Sequence, residues 1–353
     1  MRARTLRAGL DDEGLAHIEQ AARMLAEGRL VAFPTETVYG IGCNAWDEEA
    51  VRRLREVKRR PRGKPFSIHI ARLEDVASHV EHVPRIAQKL MRRYWPGPLT
   101  LVLPGKSGQA VGLRMPSNRI ALELLRRVPA PVYAPSANRA GETPAKSAQE
   151  VADALGEELD LVLDGGPTTL GQASTVVRVD DDSWETLRAG SVTEDMIRRT
   201  LGTTIVFVCT ANSCRSPMAE ALCKQLLARR LGCTVDQLPY RGYNVLSAGT
   251  AATWDLPPST NAVEAMERHG IDISAYRSRP VTPGLIEDAD VIFVLARHHG
   301  ESIRSVMPEA APKIRLLDPS GQDVRDPVGG SPEVFLRCAK AIRRHLVEVI
   351  DTL

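Results

Sequence analysis

The sequence has no long apolar run and few cysteines. No stretch approaches the roughly 18 apolar residues that a membrane-spanning helix needs, so we expect no membrane span. The N-terminal residues include basic side chains but no apolar segment after them, so we expect no signal peptide. Six cysteines are spread unevenly over 353 residues, which is unlike a disulfide framework and favours a reducing, cytoplasmic compartment.

Paired cysteines, excess charge and repeats are also missing. No CxxC pair occurs, so a structural zinc site is not expected, and we predict no metal-ligating residues. The net charge of +2 gives no whole-protein argument for nucleic-acid binding. There is no internal repeat and no low-complexity linker, and the length of 353 residues predicts about two domains.

Strand-like and helix-like patterns alternate along the chain, which predicts an α/β fold. Predicted helices cover residues 17–27, 48–60, 86–94, 148–155, 216–230, 259–269 and 332–351. Predicted strands cover residues 30–34, 66–70, 99–103, 132–134, 161–164, 205–208, 245–248 and 291–295. The alternation favours a parallel, doubly wound sheet. A fresh start near Leu201 predicts two domains, residues 1–200 and 203–353.

One predicted strand runs directly into a loop with a cysteine and an arginine, VFVCTANSCRSPMAE. Cys209 would lie at the carboxyl end of this strand, where α/β sheets bind ligands. The next helix would aim its free N–H groups and positive dipole end at an anion held by residues 210–213. Arg215 can grip two phosphate oxygens, and the same positive field favours the thiolate of Cys209. The stretch predicts a nucleophile beside a phosphate cradle and a covalent phospho-cysteine intermediate.

Further residues would complete this site. The Ser216 hydroxyl could hydrogen-bond the thiolate, and Asn212 could brace the loop; we assign both, with Thr210, as substrate-binding residues. Asp326, in the sequence DPVGG, could carry a proton to the leaving group. Taken alone, Asp-Pro indicates a turn and Cys209 a buried core thiol.

The motifs CTANSCRSPMAE, SAGT at residues 247–250 and DPVGG resemble, in this order, the low-molecular-weight protein phosphatase family. The resemblance covers roughly residues 203–353 and implies a small, doubly wound parallel sheet and a phosphorylated protein substrate. It implies Cys209 as nucleophile, Arg215 as phosphate clamp and Asp326 as general acid. Cys214 takes the place of a second cysteine that forms a reversible disulfide in many members, so it is either an oxidation switch or a passive thiol.

The substrate of such a phosphatase stays open at this point. Tyrosine-specific members tend to have a bulky aliphatic residue after the nucleophile and tyrosines after the Asp-Pro. Here Thr210 and Gly329-Gly330 look more like the protein-arginine phosphatase branch, although Val328 departs from the aromatic residue usual there. A hydroxyl at Thr210 could order water or accept from a guanidinium N–H. Trp254 is either an aromatic wall for phosphotyrosine or a core residue.

Two other interpretations of this part of the chain are weaker. Arsenate reductase chemistry on the same fold needs two further cysteines close together, and after Cys214 no such pair follows. A redox-sensing or anion-binding domain without catalysis is the non-enzyme alternative, against which the intact Cys209, Arg215 and Asp326 argue.

The first part of the chain holds a different set of motifs. FPTETVYGIG, residues 33–42, follows a predicted strand and ends in glycine, which lets backbone approach a ligand. Residues 52–64 then carry eight basic side chains against one acid. This run is either a solvated basic face that contacts RNA nonspecifically or a cradle for a triphosphate.

Three more motifs favour the triphosphate: Ser136-Ala137-Asn138, Ser174-Thr175-Val176-Val177 and Arg188-Ala189-Gly190. Together with PTETVYG and Lys58-x-Arg60, they resemble the YrdC-type threonylcarbamoyl-AMP synthase family over about residues 7–195. The resemblance implies a twisted α/β sheet and a reaction that joins L-threonine, bicarbonate and ATP into threonylcarbamoyl-adenylate, releasing pyrophosphate. The product would serve a downstream tRNA threonylcarbamoyl transferase in the t6A modification of tRNA.

The same resemblance implies roles for single residues. Those expected to hold threonine are Thr37, His69, Arg114 and Ser174. Those expected to hold ATP are Arg60, Lys64, Ser136, Asn138 and Arg188, with Lys58 beside the phosphates. Arg114 suits the threonine carboxylate, whereas His69 by itself would more often be a core histidine. Mg²⁺ is expected with ATP, held by phosphates and water. The whole chain is thus predicted to be a bifunctional enzyme, with a double-stranded RNA-binding module as the alternative for its first part.

Overall fold

The computed structural model describes residues 2–61 and 63–350. Arg62 of the basic run and Asp351 at the end of the last predicted helix therefore lie outside the described residues, as do both chain termini. The chain divides into two compact units, residues 1–200 and 201–353. Within the described residues, no helix has the length and apolar composition that crossing a bilayer demands.

The first unit contains a large sheet and the helices that cover it. Its strands are β1 (Arg4–Arg7), β2 (Val31–Phe33), β3 (Gly40–Asn44), β4 (Ser67–His69), β5 (Leu99–Pro104), β6 (Ala110–Arg114), β7 (Val132–Tyr133), β8 (Leu161–Asp164), β9 (Thr175–Val179) and β10 (Trp184–Arg188). Its helices are α1 (Asp12–Ala26), α2 (Glu48–Lys58), α3 (Arg85–Tyr94), α4 (Arg119–Arg127), α5 (Ala148–Leu155) and α6 (Glu194–Leu201), and a short 3₁₀ helix covers Leu73–Ser78.

The sheet of the first unit is mixed, so the parallel layout favoured by the sequence pattern is wrong there. The strand order is β1-β8-β2-β3-β7-β4-β6-β5-β9-β10. The pairs β2–β3, β3–β7, β4–β7, β5–β6 and β9–β10 are antiparallel. Parallel neighbours need a crossover of a dozen or more residues, and the loops after β2, β5 and β9 are too short for one.

Helices cover both faces of this sheet. In β2, Val31 and Phe33 pack into one apolar cluster with α1 and α4, while Ala32 packs into the opposite cluster with α2 and α5. Successive side chains of a strand point to opposite faces, so one short strand serves both cores. Helix α2 begins where the Asp47 carboxylate accepts from two backbone N–H groups and ends at Arg59, whose φ is 47°. This left-handed residue ends the helix before Arg60, where the sequence pattern had placed its end.

The second unit is the predicted doubly wound parallel sheet. Its strands are β11 (Thr203–Cys209), β12 (Tyr243–Gly249), β13 (Val291–Val294) and β14 (Ile314–Leu316), in the order β12-β11-β13-β14 and all parallel. Its helices are α7 (Arg215–Leu231), α8 (Thr260–Glu267), α9 (Pro283–Asp288), α10 (Arg297–Val306) and α11 (Pro332–Val349), with 3₁₀ helices at Val235–Arg241 and Pro308–Lys313.

The strand order places a topological switch point at the end of β11. The chain leaves β11 for β12 on one side and later returns to β13 on the other side. Ligands of open α/β sheets bind in the crevice that such a reversal creates at the carboxyl ends of the strands. The loop that follows Cys209 and the first turn of α10 both lie at this point.

Candidate active sites

The first unit encloses a cavity of about 680 Å³, within the size range of small-molecule sites. The charged side chains that line it are Arg60, Lys64, Arg114, Arg178 and Arg188. None of the described lining residues is an aspartate or a glutamate. The cavity is therefore suited to a ligand with several negative charges. Arg178 is a lining residue that the sequence analysis did not single out.

Arg114 forms a buried ion pair with Glu36, a residue that was not predicted from the sequence. Its Nη2 lies 2.7 Å from Glu36 Oε1 and donates to Thr37 Oγ1 at 2.8 Å. The other oxygen of Glu36 accepts from the Ser117 backbone N–H at 3.1 Å. Glu36 and Thr37 are buried, so Thr37 supports Arg114 and is not among the lining residues. Glu36 belongs to the PTETVYG motif, and that membership was the available signal.

His69 lies at the end of β4, in register with Arg114 on β6, and lines the cavity. Its ring is buried, and its Nδ1 atom has no hydrogen-bond partner in the described part of the chain. Burial, together with the nearby charge of Arg114, lowers the pKa of His69 to about 3, so the ring is neutral at pH 7. An unsatisfied buried nitrogen at a cavity wall is the kind of group that a ligand satisfies.

Ser174 joins two other lining residues. Its hydroxyl lies 2.8 Å from Thr100 Oγ1, and its carbonyl oxygen accepts from Arg188 Nη2 at 2.8 Å. Burial lowers the pKa of Arg188, as do the charges of Arg114 and Arg60. Thr100 was missed by the sequence analysis, although it is a polar residue inside the apolar strand LTLVL.

The remaining predicted ATP residues divide into two groups. Arg60, Lys64 and Ser136 line the cavity. Lys58 does not: its ammonium donates to the carbonyl oxygens of Ser136 and Asn138, and burial lowers the pKa of Lys58 to about 8. The Asn138 side chain donates to carbonyl groups of its own loop and is likewise not among the lining residues. Lys58 and Asn138 thus shape the loop that presents Ser136.

Several cations of the basic run already have partners on the protein. Arg52 pairs with Glu49 and Glu56 along α2, and Arg53 pairs with Asp160 at 3.1 Å. Arg55 donates to the carbonyl oxygen of Lys64 at 3.1 Å. The carboxylate partners of Arg52 and Arg53 reduce the positive charge that the run can offer to RNA, whereas the neutral carbonyl partner of Arg55 does not.

In the second unit, the predicted nucleophile, clamp and acid come together. Cys209 Sγ lies 3.0 Å from Ser216 Oγ and accepts from the backbone N–H of Asn212 at 3.3 Å. Arg215 opens α7 and is buried, and its Nη2 lies 2.5 Å from Asp326 Oδ2. The arrangement can hold a tetrahedral anion between a thiol and a guanidinium, with a carboxyl group beside it.

Asn212 fixes the shape of the loop. Its φ of 53° lies in the left-handed region, which few residues other than glycine adopt. Its amide nitrogen donates to Ser216 Oγ at 2.8 Å and to Ser247 Oγ at 3.1 Å. Its amide oxygen accepts from the Tyr276 hydroxyl at 2.6 Å and the Arg279 backbone N–H at 2.8 Å. These bonds use the hydrogen-bonding capacity of the side chain within the protein, so Asn212 braces the loop. Its assignment as a substrate-binding residue stays a prediction.

Thr210 has a partner that the sequence analysis missed. Its Oγ1 lies 3.0 Å from Nε2 of His299, in the first turn of α10. His299 comes shortly after the carboxyl end of a predicted strand, and that position was a usable signal.

Trp254, Val328 and Cys214 differ in solvent exposure. Trp254 is 62% exposed, so the alternative that it is a core residue is wrong. Val328, after Asp326, is 68% exposed. Cys214 is buried, with its sulfur 3.2 Å from Ser259 Oγ, and all six cysteines are free thiols.

Fold and sites define a two-part α/β protein, with a cationic cavity in one unit and, in the other, a buried cysteine in the same loop as an arginine that pairs with an aspartate. The Sua5/YciO/YrdC family model, described as "Telomere recombination", matches residues 23–190. The model of the "Low molecular weight phosphotyrosine protein phosphatase" family matches residues 204–353.

Curated proteins similar to the first unit are threonylcarbamoyl-AMP synthases. A threonylcarbamoyl-AMP synthase of Pyrococcus abyssi is 41% identical over 194 residues, which are 52% of this chain and 57% of that protein. This chain thus spans little more than half the length of that relative. A threonylcarbamoyl-AMP synthase of Cellvibrio japonicus is 33% identical over 157 residues, 42% of this chain and 83% of that protein. The chain belongs to the threonylcarbamoyl-AMP synthase family, and its second unit is a domain of the low-molecular-weight phosphatase family.

Each unit also resembles solved structures. The crystal structure of Pyrococcus abyssi Sua5 complexed with L-threonine is 25% identical, with a TM-score of 0.53, and covers 97% of this chain and 98% of that chain. A YwlE mutant from Bacillus subtilis is 31% identical, with a TM-score of 0.38, and covers 43% of this chain and 98% of that chain. Both family assignments and the α/β fold class predicted from the sequence are confirmed.

Proposed function

We propose that the first unit makes threonylcarbamoyl-adenylate from L-threonine, bicarbonate and ATP. The observation that carries this proposal is the cavity of about 680 Å³ with five cationic side chains and no carboxylate among its described lining residues. A triphosphate and an amino-acid carboxylate both need such cations. The names of the relatives, and a structural neighbour that holds L-threonine, support the same assignment.

The reaction then has two bond-forming steps. The threonine amine adds to the carbon of bicarbonate and water is lost, which gives a carbamate. A carbamate oxygen bonds to the α-phosphorus of ATP while the bond to pyrophosphate breaks. Arg114, fixed by Glu36, would bind the threonine carboxylate, and His69 Nδ1 and Ser174 would complete the threonine site. Arg60, Lys64, Ser136 and Arg188 would hold the nucleotide.

Mg²⁺ fits this site only through the nucleotide. In residues 2–61 and 63–350, no cluster of three or more His, Cys, Asp or Glu side chains could hold a metal. A Mg²⁺ ion would be bound by the phosphates of ATP and by water, and would neutralise phosphate charge.

The test uses the full chain and measures pyrophosphate release. We expect release only when L-threonine, bicarbonate and ATP are all present, with the Cys209→Ser variant as active as the wild type. Salt-sensitive RNA binding without threonine-dependent turnover would instead favour the RNA-binding alternative. Transfer of the product to a tRNA threonylcarbamoyl transferase and a cytoplasmic location remain predictions.

We infer that the second unit hydrolyses phosphorylated proteins through a phospho-cysteine. The observation that carries this inference is the cluster of Cys209, Arg215 and Asp326 around one anion loop. The Cys209 thiolate bonds to phosphorus as the bond to the leaving group breaks, and Asp326 gives that group a proton. Water then attacks phosphorus, the P–S bond breaks, phosphate leaves and Asp326 takes a proton from the water.

Phosphoarginine is the substrate we propose for this unit. Thr210 stands in place of a bulky aliphatic residue, and glycines stand where tyrosine-specific members carry tyrosines. A side chain at Gly329 would meet nothing within 4 Å, whereas one at Gly330 would come within 2.8 Å of the Val334 side chain, so the open space after Asp326 is at Gly329. The exposed Trp254 supports the second candidate, phosphotyrosine, because an aromatic wall suits that ring.

The two candidates are separated by kcat/KM of the full chain on a phosphoarginine peptide and a phosphotyrosine peptide, with Cys209→Ser as blank. We expect a preference of about 100-fold for phosphoarginine, equal to about 2.7 kcal/mol of differential transition-state binding. A preference for phosphotyrosine would overturn the assignment. Reversible oxidation of Cys214 with the nucleophile stays a prediction.

A further inference from the structure

His299 lies at the switch point of the second sheet, next to the anion loop. Strands β11 and β13 are neighbours, Thr210 follows β11, and α10 begins three residues after β13 ends. This connectivity brings His299 Nε2 to 3.0 Å from Thr210 Oγ1, although 89 positions separate the two residues in sequence.

The surroundings of His299 decide which nitrogen carries its proton. The ring is fully buried, and Nδ1 has no hydrogen-bond partner among the described residues. A buried N–H without a partner is rare in proteins, so the bare lone pair belongs on Nδ1 and the proton on Nε2.

Burial is the main reason that the His299 ring stays neutral. Burial, then repulsion by His298 and Arg215, lowers the pKa of His299 to about 4, while Asp326 and Asp323 act in the opposite direction. A neutral ring with its only proton on Nε2 can make one bond as donor, and Thr210 Oγ1 is the atom in reach.

We propose that His299 is a positioning residue of the phosphatase reaction: it donates from Nε2 to Thr210 Oγ1 and so turns the Thr210 hydroxyl into a donor towards the bound substrate. The proposal rests on the phosphatase function proposed above, and not on the choice between phosphoarginine and phosphotyrosine. A donor suits a phosphoryl or water oxygen. It does not suit a guanidinium, which is itself only a donor. The Thr210 hydroxyl would therefore assist both substrates equally, and the argument for phosphoarginine uses only the small size of this side chain.

The tautomer is tested directly by NMR. The full chain is labelled with ¹⁵N-histidine, and two-bond ¹H–¹⁵N correlations are recorded near pH 7, with His299→Gln assigning one of the eight histidines. We expect a neutral ring with protonated Nε2 and bare Nδ1. A proton on Nδ1, or a charged ring, would overturn the proposal.

The link through Thr210 is tested by a double-mutant cycle in the full chain. His299→Leu removes the donor, His299→Gln retains an N–H near the position of Nε2, and Thr210→Val removes the hydroxyl at nearly constant shape. A neutral hydrogen bond predicts that His299→Leu and Thr210→Val each lower kcat/KM about 5- to 10-fold, and His299→Gln less than about 3-fold. The double variant should be no worse than Thr210→Val. Additive losses, or a Thr210→Val loss confined to phosphoarginine, would contradict the proposal.

Inorganic phosphate supplies a readout that does not need turnover. Its dissociation constant for the full chain should rise by a similar factor in His299→Leu and Thr210→Val, and no further in the double variant. If the wild type hydrolyses neither peptide in a Cys209-dependent way, the proposed function fails. Phosphate binding and the tautomer then still decide whether His299 acts on the loop through Thr210.

Discussion

The two units build their sites in opposite ways. The cavity of the first unit collects side chains from Thr35 to Arg188, on many strands and loops. The site of the second unit is mainly one loop, Cys209 to Arg215, with Asp326 added from a distant segment. A site for three reactants with separate charges needs cations spread over a large wall. A site for one tetrahedral group can be made by backbone N–H groups at a helix start.

The carboxylates that face the two key arginines also differ. The Glu36 side chain, paired with Arg114, is 9% exposed, whereas that of Asp326, paired with Arg215, is 45% exposed. Glu36 is enclosed and can only hold its arginine in place. Asp326 is partly open to solvent, as the proton donor proposed above would need to be. The two pairs, both of which include a buried arginine, thus differ in the exposure of the carboxylate, which suits the different roles proposed for Glu36 and Asp326.

The largest expected effect is that of Cys209→Ser, which should abolish one activity and leave the other unchanged. Cys209→Ser removes the nucleophile, so phosphatase kcat should fall by about 10⁴-fold or more. Threonine-dependent pyrophosphate release by the same preparation should remain at the wild-type level. A parallel loss of both activities would break the comparison, because it would mean that the units do not work independently.

Asp326→Asn should have the next largest effect. The variant keeps the shape of the side chain but cannot donate a carboxyl proton, so kcat should fall by about 10³-fold on substrates whose leaving group needs that proton. A phosphate ester with an acidic phenol as leaving group serves as control, because it needs no proton and should lose much less. Equal losses on both substrates would assign Asp326 to structure alone.

Glu36→Gln sharpens the contrast between the two carboxylates. The variant leaves the buried Arg114 charge unpaired, so we expect a loss of about 3 kcal/mol in unfolding free energy and a rise in KM for threonine of about 10-fold. Urea unfolding and initial rates measure the two quantities. The matched control is Glu49→Gln, whose exposed pair with Arg52 should contribute less than about 1 kcal/mol. A variant as stable as this control would show that Glu36 does not hold Arg114.

The smallest expected effect is on stability at acid pH. Both units should show it, because each contains a buried histidine with a lowered pKa. The pKa of His69 is lowered to about 3 and that of His299 to about 4, from 6.5. Between these values and 6.5 the unfolded chain binds more protons than the folded chain, so stability falls as pH falls from 6.5 towards 4. In His69→Gln and His299→Gln the slope of Tm against pH should be shallower over this interval. The matched control is His82→Gln, which replaces an exposed histidine of the first unit and should leave the slope nearly unchanged. Slopes that stay unchanged in His69→Gln and His299→Gln as well would refute the assignment.

Much of the second unit follows from local sequence, because each of its predicted strands and helices coincides with an apolar or amphipathic run. The pattern misses β14, α9 and α10 in the second unit, and β1, β3, β6, β9, β10, α4 and α6 in the first. Of the missed strands, β3, β6, β9 and β10 have five residues each and an antiparallel neighbour. The alternation of strands and helices predicts parallel pairing, but several strands of the first unit are joined by short loops that allow only antiparallel neighbours, so the predicted sheet is wrong there.

Site residues also differ in whether local sequence or long-range strand order positions them. Residues inside a contiguous motif, such as Cys209 and Arg215, could be assigned from the sequence because the loop and helix that align them are local. Glu36, Thr100 and His299 were not assigned, even though Glu36 lies inside the PTETVYG motif, because each of them gains its role from a partner that the sheet order brings near. Trp254 was ambiguous for a related reason, since no local pattern tells an exposed tryptophan from a buried one.

The hydrogen bonds that hold Asn212 affect how strongly the phosphatase domain should be inhibited by free phosphate. Because Ser247, Tyr276 and Arg279 hold that amide, the anion loop keeps its shape before any ligand arrives. A loop that spends no binding energy on its own ordering accepts any tetrahedral oxyanion of the right size. Free orthophosphate, the product of each turnover, should then compete with the next substrate, so the domain is expected to slow down where inorganic phosphate is abundant.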